Sequence, residues 1–312
     1  MRSPWLRFFA SQTVAFLLQN CHSSMSTSNL LKEDPIMKNK AFVRRYAVSS
    51  YFVLAYLISW GGSFAAGGPK FLRGEAMQLT DILLMALPMM AGPSIAGILL
   101  TGIVDGESGL RDLFFRMRLW RVGARWYASL LIFPVLILAV LLTLTTLVSP
   151  DFAPNFFALG ILMGLVAGFF EEIGWMGFAY PKIQLKYSAL VAGIFLGLLH
   201  GTWHLVAGYL AESSTFGVYW LPRFLAMWIV AMTAMRILNV WVYANTKSVL
   251  MSQLIHASST GFLIILGPSP ILPANETLWF AVYAVVLWVP AAIVAAKYGK
   301  ALVQKPLEAK AM

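Results

Sequence analysis

Residues 159–183 read LGILMGLVAGFFEEIGWMGFAYPKI, and the decisive feature is a pair of adjacent carboxylates, Glu171 and Glu172, set inside an apolar run. No charge precedes the pair in this stretch, and Gly174, Trp175, Met176, Gly177 and Phe178 carry the apolar character past it. A carboxylate placed in hydrocarbon costs at least ~2.5 kcal/mol on insertion scales, and two together cost more. The pair therefore faces a protein interior or a wet cavity, and it marks a site. A helix end that has merely reached the headgroups would not be followed by five more apolar or small residues.

The rest of the chain agrees with a membrane setting. Its 312 residues are 59% hydrophobic and 12% charged, with a mean hydropathy of +0.74. A soluble domain has a lower apolar share and about twice the charge. These values predict an all-α, polytopic transmembrane helix bundle. The net charge of +10 does not argue for nucleic acid. In a membrane protein it reflects lysine and arginine in cytoplasmic loops and contact with anionic lipid. The single cysteine, Cys21, excludes an intrachain disulfide.

Residues 1–36 read as an extension, disordered or dispensable, with a polar stretch from His22 to Asp34 that lacks the apolar residues a core needs. Residues 37–312 read as one transmembrane domain. Eight spans of about 20 residues are expected near 46–66, 78–103, 126–148, 156–178, 189–210, 219–243, 248–267 and 278–297. Pro88, Gly92, Pro93 and Gly97 predict a kinked or closely packed second span. The basic residues are unevenly distributed. Lys38, Lys40, Arg44, Arg45, Arg111, Arg116, Arg118, Arg121, Arg125, Lys182, Lys186, Lys247, Lys297, Lys300, Lys305 and Lys310 share one side; only Lys70, Arg73 and Arg223 take the other. That bias places both termini in the cytoplasm and points to the plasma membrane. Between spans two and three, Leu110, Leu113, Phe114, Met117 and Leu119 alternate with Arg111, Arg116, Arg118 and Arg121, the pattern of an amphipathic interfacial helix.

Few ionisable residues lie deep in the spans. His200 and His204 are four apart and share a helical face, a spacing that suits two metal ligands or one catalytic and one structural histidine. His256 lies ~13 Å along its helix from Lys247, a depth similar to that of Glu171 in its own span. His204 lies ~23 Å from Ala189, so that helix must tilt or start late, and His200 matches the depth better. Thr260 is one turn beyond His256 on its face, while Ser252, Ser258 and Ser259 read as packing residues. Arg236 and Asn239 share a face of span six; Arg236 either snorkels to the headgroups or neutralises Glu172.

Together these residues resemble the CPBP family, the CAAX-protease and bacteriocin-processing intramembrane proteases. The family's first motif, often EEIGWRGF, is matched by EEIGWMGF at 171–178, with Met176 in place of the arginine. Its second motif, a histidine often followed by Leu-Pro, is matched at His204-Leu205, with Val206 in the proline's place. Its third, a histidine followed four residues on by asparagine, is matched at His256 with Thr260 at the end. NVWVYANTKSVL, and MAGPSIAGILLTGIVDG in span two, are similar to family members as well.

The resemblance implies peptide hydrolysis within the membrane near its cytoplasmic face, on membrane-associated or lipidated substrates. Glu171 would be the base acting on water, with His204 beside it. His256, helped by Thr260, would stabilise the oxyanion; Glu172, His200 and Arg236 would support them. A divalent metal such as zinc held by Glu171, His204 and His256, and a metal-free water activated by Glu171, are both open. No HExxH motif is present. Two other functions compete: a catalytically silent relative acting as scaffold or immunity factor, which the Met176 change favours, and a proton-coupled transporter using the same carboxylates as a relay. The expected partners are membrane lipid and a peptide or membrane-protein substrate, with no nucleic acid.

Overall fold

The computed structural model describes residues 41–268 and 271–303. The extension 1–36, with Cys21 and His22, and the basic residues Lys38, Lys40, Lys305 and Lys310 lie outside the described residues. The bundle begins at Tyr46; residues 41–45 are helical and group apart from it.

Ten longer helices build the bundle: α1 Ala47–Leu72, α2 Leu79–Val104, α3 Gly106–Arg116, α4 Ile132–Leu147, α5 Leu159–Gly174, α6 Ala189–Trp203, α7 Leu205–Phe216, α8 Met232–Thr246, α9 Val249–Leu266 and α10 Pro273–Tyr298. A π-helical turn, Trp175–Ala179, prolongs α5 into a short helix at Tyr180–Gln184. A second π-helical stretch, Leu225–Ala231, leads into α8. Among the described residues, seven stretches are long and apolar enough to cross a membrane, and no strand is formed. The architecture is an all-α polytopic bundle.

The count differs from the expected eight because span 189–210 is not one rod. Helix α6 has 15 residues, a length of ~22 Å at 1.5 Å per residue, against a hydrocarbon thickness of ~30 Å. The chain breaks at His204 and resumes as α7. Helix α1 braces the break: the Tyr56 hydroxyl donates to the Leu199 carbonyl and lies 2.9 Å from Thr202 Oγ1, and the Trp60 indole donates to the Trp203 carbonyl at 2.7 Å. A backbone group in lipid must find an internal partner, and these side chains supply it.

The prolines of α2 are accommodated in the same way. Pro93 has no N–H to give the Met89 carbonyl, and the Ser59 hydroxyl of α1 donates to that carbonyl at 3.2 Å. Small residues let the site-bearing helices touch. A Cβ on Gly164 of α5 would stand 2.6 Å from the Ala257 carbonyl oxygen of α9, and one on Gly197 of α6 would stand 2.6 Å from Thr233 Cα of α8. Such backbone approach is how membrane helices pack where water provides no driving force.

The loops that carry the basic residues meet at one face. Lys182 pairs with Asp105 at 2.5 Å, Arg116 donates to Tyr243 Oη at 2.8 Å and to the Gly177 carbonyl at 3.1 Å, and Ser248 Oγ donates to the Leu119 carbonyl at 2.6 Å. The expected helix between spans two and three is present as α3, with its Leu113 buried and Phe114 and Phe115 exposed; it ends at Arg116, so Arg118, Leu119 and Arg121 follow it.

Candidate active site

Four helices converge on one buried network. Glu171 and Glu172 come from the end of α5, His200 from α6, Arg236 from α8 and His256 from α9. Glu172, His200 and Arg236 are fully enclosed, and His256 and Glu171 are 2% and 4% exposed. Burial this complete demands partners for every charge, and the contacts provide them.

Arg236 sits at the centre. Its Nη1 lies 2.7 and 2.8 Å from the two oxygens of Glu172. Its Nε and Nη2 lie 2.8 and 2.6 Å from Nδ1 of His200. A guanidinium only donates, so Nδ1 of His200 accepts, and the ring proton is on Nε2. That Nε2 faces Glu171 Oε2 at 2.9 Å and donates to it. The tautomer of His200 is thus fixed by its neighbour.

On the other flank, His256 Nδ1 is 2.6 Å from Glu172 Oε1, and its Nε2 is 3.8 Å from Glu171 Oε2. Glu172 therefore holds two partners, Arg236 and His256, whereas Glu171 accepts one N–H and keeps the rest of its surface toward His256 and the ring of His204. Among the described residues no lysine or arginine is within ion-pair distance of Glu171.

His204 occupies the break between α6 and α7. Its ring stacks on Trp228 with centroids 3.5 Å apart, and on His200 at 5.3 Å. Trp228 belongs to the π-helical stretch before α8, so the wide turn there delivers an indole over the imidazole. Thr260 lies one turn beyond His256 on α9, half-buried, and its hydroxyl makes no hydrogen bond among the described residues. Asn239, on the face of Arg236, donates to the Ser252 carbonyl at 3.3 Å.

The two departures from the motif find different neighbours. Met176 is wholly buried and carries no charge; the cation beside Glu172 is Arg236, sixty-four residues along the chain. Lys182, the other candidate for that role, is engaged by Asp105.

Ligand atoms of Glu171, His200 and His204 lie within 4.8 Å of one another, the spacing of a metal centre. This set contains His200 where the sequence reading had His256. The donor chemistry of this set, with His200 in it, does not fit a metal, however. A metal-bound imidazole normally gives its second N–H to a carboxylate or carbonyl. Here the second nitrogen of His200 faces a guanidinium that itself donates, so the nitrogen directed at Glu171 is the one that holds the proton.

Sequence reasoning did not single out Tyr51 and Trp228, and Trp203 entered it only as the residue before His204. The Tyr51 hydroxyl and the Trp203 and Trp228 indole N–H groups are buried with no hydrogen-bond partner. Trp175 Nε1 is orphaned too; such donors are rare in a finished core, and each calls for a partner such as a water or a bound polar group. Trp175, whose ring is 5.0 Å from that of His200, completes the aromatic wall. The signal available in the sequence was the EEIGW stretch itself, which places Trp175 next to the carboxylates.

Residues 153–262 match the family described as Rce1-like, "Type II CAAX prenyl endopeptidase Rce1-like". Every residue of the network falls inside that stretch. Over 246 residues the chain is 24% identical to the "CAAX prenyl protease 2" of Methanococcus maripaludis, an alignment covering 73% of this chain and 84% of the relative.

Proposed function

From a chain of the CAAX-protease type, with an Rce1-like domain at residues 153–262, we propose that this protein is an intramembrane endopeptidase in which Glu171 activates a water without a metal. The observation that carries the reading is the asymmetry of the carboxylate pair. Glu172 is saturated by Arg236 and His256, and Glu171 accepts from His200, has the Trp175 indole beside it and no cation as a partner, with His256 Nε2 3.8 Å away. A general base needs such spare accepting capacity within reach of the proton it takes.

A water about 2.8 Å from each atom spans the 3.8 Å between Glu171 Oε2 and His256 Nε2. Glu171 takes one of its protons as the oxygen attacks the scissile carbonyl. The His200 Nε2–H bond to Glu171 Oε2 holds the carboxylate in place through the step. The orphaned donors of Tyr51, Trp203 and Trp228 are available to the oxyanion, alongside the expected contribution of His256 and Thr260. Collapse of the tetrahedral intermediate breaks the C–N bond, and Glu171 returns its proton to the leaving amine.

The substrate class that fits is a membrane-anchored or lipidated peptide, because the site lies among transmembrane helices. The protein is oriented with the basic face, where Lys182, Arg116 and Lys247 lie, in the cytoplasm. The silent-relative reading drew its support from Met176, and Arg236 beside Glu172 removes that support.

The test is cleavage of membrane-anchored fluorogenic peptides in proteoliposomes. Wild type cleaves; Glu171→Gln lowers the rate by ~10²–10⁴-fold, the usual worth of a positioned base, and His256→Ala also fails. Wild-type protein that binds the peptides and never cleaves them, or a Glu171→Gln variant as fast as wild type, overturns the proposal.

A further inference from the structure

The segment from α3 to α4 is tied to three of the four helices that carry the buried network, α5, α8 and α9. Leu113 of α3 rests against Gly177, where an added Cβ would come within 2.6 Å of its methyl. Arg116 holds the Gly177 carbonyl just beyond Glu171 and Glu172, and also the Tyr243 hydroxyl on α8. Trp126 packs edge-on against Trp241 of α8 at 5.1 Å. Ser248, the N-cap of α9, donates to the Leu119 carbonyl. Displacement of this segment therefore bears on α5, α8 and α9 together.

The outward side of the same segment has a different chemistry. Arg118, Arg121 and Arg125 are exposed and, among the described residues, none of them is in an ion pair. The guanidinium of Arg121 lies 5.1 Å from the ring of Trp120, and that of Arg125 lies 5.2 Å from the ring of Trp126. Trp120 is 60% exposed and Phe115 63%. Arg116, by contrast, is drawn inward and paired with Asp112 at 2.7 Å. Unpaired arginines interleaved with exposed aromatic rings at the level where spans end form a surface complementary to a phosphodiester headgroup and the upper part of its acyl chains.

We propose that Arg118, Arg121 and Arg125, with Trp120, bind the headgroup of an anionic phospholipid, and that this binding sets the position of the helices carrying Glu171, Glu172, Arg236 and His256. Lipid composition then tunes the activity proposed above. The binding half of the inference stands without that activity; the tuning half rests on it.

Purified protein is reconstituted in phosphatidylcholine, with or without about 30% phosphatidylglycerol, enough to give the surface a negative potential. Spin-labelled phosphatidylglycerol and phosphatidylcholine report which lipid the protein immobilises. Wild type selects the anionic lipid. Arg118→Gln alone lowers that selection by about fivefold, the worth of one arginine at an anionic surface; R118Q/R121Q/R125Q abolishes it, and R118K/R121K/R125K retains most of it. Peptide turnover by wild type is at least about threefold faster with the anionic lipid, and the triple glutamine variant turns over equally in both.

Undiminished selection in R118Q and in the triple glutamine variant overturns the site, and so does equal competition by soluble glycerophosphate, which would assign it to free phosphate. Selection with no change in wild-type turnover overturns the coupling. The spin-label measurement needs no proteolysis, so a chain that never cleaves yet selects the lipid through these arginines defeats the hydrolase reading and leaves the headgroup site standing.

Discussion

Two buried arginines divide the bundle between them. Arg223, near the opposite end of the helices from the basic face, pairs with Glu212 at 2.6 Å and Glu276 at 2.8 Å, between the rings of Phe216 and Phe280. Arg236 pairs with one carboxylate and one imidazole. The chemistry of the cation is the same, and the surroundings differ. Around Arg223 both acids are bound and both remain partly exposed, with side chains 31% and 24% accessible. Around Arg236 its partners are sealed, and a second carboxylate, Glu171, is hydrogen-bonded to one of them, His200, and not to the guanidinium. The first arrangement joins the ends of three helical segments and is complete. The second leaves one acid, Glu171, without an arginine or lysine partner. An arginine–carboxylate pair in a membrane protein is thus no sign of a site by itself; the sign is the neighbouring acid that the pair does not satisfy.

Arginine replacements probe this contrast most strongly. Arg236→Met strands Glu172 in a sealed interior and frees Nδ1 of His200. Breaking a buried pair costs ~3–5 kcal/mol, so thermal unfolding should move down sharply and turnover should vanish. Arg236→Lys keeps the charge but cannot fork between Glu172 and His200. Its expected signature is a fall in kcat of about tenfold or more with KM nearly unchanged, the pattern of an interaction used in the transition state. A variant with normal kcat would show that the His200 tautomer is irrelevant to the chemistry. Arg223→Met is expected to cost only ~1–2 kcal/mol, because its partners reach solvent and the pair is partly screened. Turnover per folded molecule should stay at the wild-type level. Should Arg223→Met silence the enzyme while Arg236→Met does not, the comparison is inverted and the site lies elsewhere. The smallest effect is expected from a chelator: incubation followed by dialysis leaves turnover unchanged and removes no stoichiometric metal, as measured by elemental analysis alongside the assay. Activity lost to the chelator and restored by zinc would reject the donor argument made from His200.

Much of this was legible in the residues. The apolar excess and the run around Glu171 lead to an all-α polytopic bundle, and the glutamate pair with its flanks points to a CAAX-type protease, which the match over residues 153–262 bears out. What the sequence could not tell was the break at His204. Hydropathy is blind to a helix that ends in mid-span when another helix supplies the hydrogen bonds, and Tyr56 and Trp60 are more than 140 residues away. The depths do carry a trace of it: His204 is too far along a straight helix from Ala189, and His200 is at the right height. The spacing of Gly160, Gly164 and Gly168 also carried information about close packing against α9. Which nitrogen of His200 bears the proton depends on a contact across thirty-six residues and has no local signature.

The brace across the break has a practical reach. Because Tyr56 and Trp60 splint a rod too short for the bilayer, helix α1 is no mere anchor to be exchanged for a generic one. Any form trimmed or fused for expression has to keep α1 whole from Ala47, with Tyr51 in place at the site. Past Tyr56, each cut exposes main-chain carbonyls in the interior of a different helix to oil.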